Sequence, residues 1–115
     1  MLLGNMKTDI SSNRFGGNGD VIMEHYIDEA MLNDTVVMYA KVTLKPGCSL
    51  GYHVHTGNSE TIVVLQGTAD YNDNGTPMTL HAGDRVHCPN GEGHSIGNPE
   101  NATEDLLLQA LVIKG

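Results

Sequence analysis

Positive charge is scarce in this sequence. Six Lys and Arg stand against fourteen Asp and Glu, a formal charge of −8 at pH 7. The basic residues form no cluster able to neutralise a phosphate backbone or an anionic lipid surface, so neither nucleic acid nor a membrane is expected as a partner. Long apolar runs are also missing. None approaches the ~20 residues of a membrane-spanning helix, and the stretch from Met1 to Lys7 lacks the length and cleavage pattern of a signal peptide. Cysteine occurs only at Cys48 and Cys88, without the spacing of a disulfide framework or a thiolate zinc site. Both read as small apolar residues, and the chain reads as cytoplasmic. With 115 residues there is room for one domain and not for two.

What the chain does have is strand chemistry. Residues 1–20 end in the glycine-rich Phe15-Gly-Gly-Asn-Gly-Asp20 and show no apolar periodicity, as expected of a flexible arm or a loosely docked edge segment. From Val21 onward, short runs of Val, Ile, Leu, Thr and Tyr alternate with turn residues. Such regular spacing predicts a sandwich or small barrel over residues 21–115. Val36, Met38, Ala40, Val42 and Leu44 mark one face of a half-buried strand. Thr61–Leu65 and Leu106–Lys114, the latter broken only by Gln109, are apolar on both faces and are expected to be central or covered. Asn74-Gly75 predicts a tight hairpin, and Asp28–Leu32 is the one stretch that invites a helical turn.

Polar chemistry is concentrated after Gly51. Side chains two apart on a strand point the same way, so His53 and His55 share one face at a separation that one metal ion can bridge. Glu60 follows the turn Thr56-Gly57-Asn58, and His94 heads a later strand, offering two more ligands. If Glu60 faces the histidines, Ile62, Val64 and Gln66 follow it inward and join Met38 as pocket-lining candidates. Gln109 is a further one, because it interrupts an apolar strand.

Two motifs in this region resemble those of the cupin family. Gly47, His53, His55, Glu60 and Gly67 stand at the spacing of its first motif, and Gly83, Pro89, Gly91, His94 and Asn98 at that of its second. The resemblance implies an all-β double-stranded β-helix, a jelly-roll barrel with a short N-terminal arm. It also implies metal ligation by His53, His55, Glu60 and His94, with the glycines, Pro89 and Asn98 in turns. Three imidazoles and one carboxylate suit one divalent transition metal, Mn, Fe, Ni or Zn, with Co and Cu also compatible. Cupin domains of this size also lead us to expect a homodimer.

Substrate-binding groups are harder to read. His25, His81 and His87 fall outside the motifs and read as surface or hydrogen-bonded residues. Only Arg14 and Arg85 have a guanidinium fork for a carboxylate, and no arginine pocket for an oxalate-like substrate is evident. Tyr52 alternates with the histidines and is expected to point away, and no general base stands out. Three functions remain open: a metal-dependent dioxygenase, decarboxylase, isomerase or lyase acting on a small chelating metabolite; a non-catalytic module binding a sugar or carboxylate; and a metal site that only stabilises the barrel.

Overall fold

The apolar alternation produces ten strands and two short 3-10 turns in the computed structural model, which describes residues 1–115. The strands are β1 Lys7–Ser12, β2 Asp20–His25, β3 Val36–Leu44, β4 Ser49–Val54, β5 Asn58–Gln66, β6 Thr68–Asp73, β7 Thr76–His81, β8 Arg85–Cys88, β9 Gly93–Gly97 and β10 Leu106–Lys114. They form two antiparallel sheets, ordered β1-β2-β3-β10-β5-β8 and β4-β9-β6-β7, which face each other as a jelly roll. No helix is long and apolar enough to cross a membrane.

β10 is hydrogen-bonded to β3 on one side and β5 on the other, which accounts for its apolar character on both faces. Leu106, Leu108, Ala110 and Val112 point inward and are buried, while Leu107, Gln109 and Leu111 are half-buried on the outer face. The inward residues stack in layers across the three strands. Leu106 lies opposite Leu44, Leu108 opposite Val42 and Val64, Ala110 opposite Ala40 and Ile62, and Val112 opposite Met38 and Glu60. The barrel is thus apolar at one end and becomes polar where Glu60 enters. Leu44, Leu106, Leu108 and Val64 are at most 1% exposed, and each such burial is worth about 1.5–3 kcal/mol relative to exposure. A cluster of thirteen buried residues builds this core, and it includes none of the three motif histidines nor Glu60.

The hairpin forms as expected, with Asn74 and Gly75 at φ 49° and 100° between β6 and β7. Glu29–Met31 forms the helical turn expected within Asp28–Leu32, and Arg14–Gly16 forms a second that the sequence did not announce. Gly47, Gly67, Gly83 and Gly91 all have φ between 81° and 94°, in keeping with turn positions. The arm is tied in more firmly than its composition suggested. Lys7–Ser12 pairs with β2 over six residues as the edge strand of the larger sheet, because Ile10 and Ser11 find partners in Ile22 and Val21 that local periodicity does not reveal.

Candidate metal centre

His53 lies on β4 and His55 directly follows the strand's last residue, both turned toward the His/Glu cluster, while their neighbours Tyr52 and Val54 are 47% and 56% exposed on the outside. β9 runs beside β4 and sets His94 opposite His53. Glu60 arrives from the other sheet, on β5, where it pairs with Val112 and Cys88. One ligand atom from each of His53, His55, Glu60 and His94 lies within 4.8 Å of the others. His55, Glu60 and His94 are 9%, 9% and 2% exposed.

The separations are those of ligands sharing a centre. His55 Nε2 and His94 Nε2 are 3.1 Å apart, and Glu60 Oε1 lies 3.3 Å from the first and 3.0 Å from the second. Neighbouring ligands at right angles with metal–ligand distances of about 2.1 Å stand roughly 3 Å apart.

The rear nitrogens fix which atoms face inward. His53 Nδ1–H donates to the Gly51 carbonyl at 2.8 Å, and His55 Nδ1–H donates to Asn58 Oδ1 at 2.6 Å. In the neutral rings this leaves the Nε2 lone pairs for the cluster. His94 Nδ1 lies 2.8 Å from the Tyr71 hydroxyl, completing the set of outer partners that hold metal-ligating histidines in register. Three inward lone pairs and a carboxylate lack a shared donor of their own. This donor set fits a divalent cation.

Electrostatics agree with that reading. Burial raises the Glu60 carboxyl, but in the metal-free protein, where Nε2 of His55 and His94 bears the hydrogen instead of facing an ion, hydrogen bonds from the two rings outweigh it and hold the group at about 2, so it is an anion. Burial lowers His53 against the opposing hydrogen bond to Gly51, whereas the hydrogen bond with Glu60 raises His55 despite burial. Burial and then the Glu60 and Glu92 charges push the Cys88 thiol up to about 11. It therefore offers no thiolate and instead donates to the Glu92 carbonyl at 3.4 Å. Burial, reinforced by Cys88 and Asp73, likewise raises the Tyr71 phenol, which stays neutral.

The cluster opens into a cavity of about 520 Å³ walled by Met23, Met38, Val42, Leu50 and Val112 among others. A depression of about 610 Å³ on the outer face of the smaller sheet is larger, but it contains no histidine and one carboxylate, Asp70. The candidate ligands His53, His55 and Glu60 line the smaller space.

Met38 lines this cavity, as the strand pattern suggested. The other lining candidates sit elsewhere. Ile62 and Val64 face inward but are 2% and 1% exposed within the apolar core, beneath the Glu60 layer. Gln66 leaves the inward series because an irregularity in the β5–β10 register sets it opposite outward Leu107. Its amide donates to the Asp105 carbonyl at 3.1 Å. Gln109 is on the outer face of β10, where its amide donates to the Tyr39 hydroxyl. Arg85, His81 and His87 are exposed on or beside the strands, and Tyr52 packs over Gly93 on the outside.

Three contributors were not singled out by sequence reasoning. Asn58 and Tyr71 hold the His55 and His94 rings, and Phe15 from the arm reaches the cavity together with Arg14, one of the two guanidinium groups noted in the sequence. His25 also lines it, with Nε2 2.8 Å from Asp9 Oδ2. The sequence signals were slight: Asn58 stands three residues after His55, and Tyr71 shares inward parity with Ala69.

Comparison with known proteins agrees with this geometry. The Cupin domain family profile matches residues 40–108. An oxalate-binding protein from Thermotoga maritima is 36% identical over 102 residues, covering 89% of this chain and 83% of that protein. The crystal structure of a predicted oxalate decarboxylase from Thermotoga maritima superposes with a TM-score of 0.90 at 32% identity, covering all of both chains. A polyketide cyclase from Streptomyces resistomycificus, at 18% identity, shares the fold with a TM-score of 0.77 over 99% of this chain and 78% of its own. A mannose-1-phosphate guanylyltransferase from Sinorhizobium fredii is 30% identical over 77 residues, 67% of this chain and 15% of that protein. The two motifs, the jelly roll and the His/Glu cluster have one common explanation: the chain belongs to the cupin family.

Proposed function

We propose that this protein holds one divalent transition metal through His53, His55, Glu60 and His94 and through it binds a small chelating carboxylate of the oxalate type. The observation that carries this reading is the convergence of four ligand atoms within 4.8 Å, with His53, His55 and Glu60 also lining a cavity. Such an ion supplies a Lewis-acid centre with open positions that a chelating oxyanion fills. The apolar part of the cavity wall lowers the local polarity, which strengthens the electrostatic interactions beside it. The oxalate-binding protein resembling this chain supports the ligand class. The test is calorimetric titration of oxalate into protein loaded with Mn²⁺ and into chelator-treated protein. We expect one site in the first and none in the second; equal binding in both overturns the proposal.

Turnover of the ligand is a second reading, favoured by the His25–Asp9 pair at the same cavity. Donation from Nε2 to Asp9 leaves Nδ1 as the ring's proton acceptor, the arrangement of an oriented general base. A cytoplasmic setting and a homodimer complete the proposal, tested by fractionation and light scattering.

A further inference from the structure

Arg14 belongs to the glycine-rich arm, yet it lines the cavity above the metal ligands. Among the lining residues it is the only Arg or Lys, as Glu60 is the only carboxylate. It is half-buried. In a chain with fourteen acidic residues it has no ionic partner, since every ion pair in the structure uses a histidine. With no carboxylate of the chain paired to it, the guanidinium is free to take an anion from a ligand. Its planar fork suits a carboxylate in two parallel hydrogen bonds.

Its position is built rather than incidental. The Arg14 guanidinium carbon lies 4.9 Å from the Phe15 ring centroid, and that ring stacks on His53 at 4.0 Å with an interplanar angle of 16°. Phe15 has φ 54° and ψ 30°, a left-handed conformation that bulky residues adopt only when the surroundings impose it. The imposition is visible. Asn13 N–H donates to the Gly19 carbonyl at 2.9 Å and Gly17 N–H to the Arg14 carbonyl at 3.0 Å. Asn18 N–H donates to Ser49 Oγ at 3.0 Å, and Ser49 N–H returns a bond to the Asn18 carbonyl at 2.8 Å. A Cβ at Gly17 would collide with the Ser49 carbonyl oxygen, and one at Gly51 with that of Phe15. Only glycines let the turn and β4 approach so closely.

We propose that Arg14 is an anion-recognition residue of this cavity, taking an oxyanion of the metal-chelating ligand, with Phe15 fixing the guanidinium above His53. This inference rests on the carboxylate-binding reading above and names the residue that would distinguish a dianionic ligand from a neutral one.

The experiment is calorimetry of oxalate with Mn²⁺-loaded wild type, Arg14→Gln, Arg14→Lys and Phe15→Ala, with exposed Arg85→Gln as control and metal content read by elemental analysis. Charge-assisted pairing of this kind corresponds to a roughly 10- to 100-fold loss of affinity in Arg14→Gln. Arg14→Lys, which keeps the charge and loses the fork, and Phe15→Ala should fall between that variant and wild type. Metal content stays at one ion per chain throughout, and Arg85→Gln binds as wild type does. Oxalate binding by Arg14→Gln within threefold of wild type overturns the role of Arg14 and leaves the metal-carboxylate reading standing. Loss of metal from Arg14→Gln also overturns it, by assigning Arg14 to the fold. Wild-type protein that retains metal and binds no oxalate overturns the broader reading and this inference with it.

Discussion

The Tyr71 hydroxyl stands 2.8 Å from His94 Nδ1, on the far side of the ring from Glu60. In the metal-bearing tautomer the imidazole donates its Nδ1–H to Tyr71, which orients the ring and leaves Nε2 for the ion. Tyr71→Phe preserves the ring that packs in the core and removes this acceptor. We expect metal affinity to fall by roughly 10- to 100-fold with the fold retained, as measured by competition against a chromophoric chelator. Unchanged affinity would remove Tyr71 from the site.

Protons compete with metal for the three imidazoles. His55 is raised above 6.5 by its hydrogen bond with Glu60, so its competition begins above the ordinary histidine range, while His53, lowered by burial, joins only below it. Metal content after dialysis should therefore fall progressively from pH 7.5 to pH 5. Full occupancy at pH 5 by elemental analysis would count against these ligands.

Glu60 makes a separate prediction for the metal-free protein. Its carboxyl lies at about 2 when folded against 4.5 when exposed. Between those values the unfolded chain binds more protons than the native one, so Glu60 contributes stability above 4.5 that is lost as pH falls toward 2. Wild type should lose melting temperature across that window more steeply than Glu60→Gln, which has no proton to bind. Parallel curves in thermal melts would contradict the assignment.

His25→Gln separates binding from turnover. If the His25–Asp9 pair moves a proton, the variant binds oxalate as wild type does and loses roughly 100-fold or more in any oxalate-consuming rate, as expected for a general base. An equal rate in both proteins would leave His25 a structural partner of Asp9.

The His/Glu cluster was legible because strand parity is strict. His53 and His55 must share a face, and the motif spacing brought Glu60 and His94 to the same centre from other strands. Parity misled where it was interrupted. Gln66 was counted inward with Glu60, Ile62 and Val64, but the irregular β5–β10 register turns it outward, a local backbone event without a side-chain signature. Tyr71 and Asn58 were hidden for another reason, since their roles depend on the rear nitrogens of rings they approach in space. Arg14 and Phe15 lie in a segment without periodicity, and their place over the cavity depends on the close contact of Gly17 and Gly51 with the opposing backbone.

The most direct test of the central claim is X-ray absorption spectroscopy of the Mn²⁺-loaded protein before and after oxalate. The account predicts outer-shell scattering from three imidazoles in both samples and a first shell that gains oxalate oxygen atoms in the second. A spectrum without imidazole scattering, or one that oxalate leaves unchanged, would contradict it.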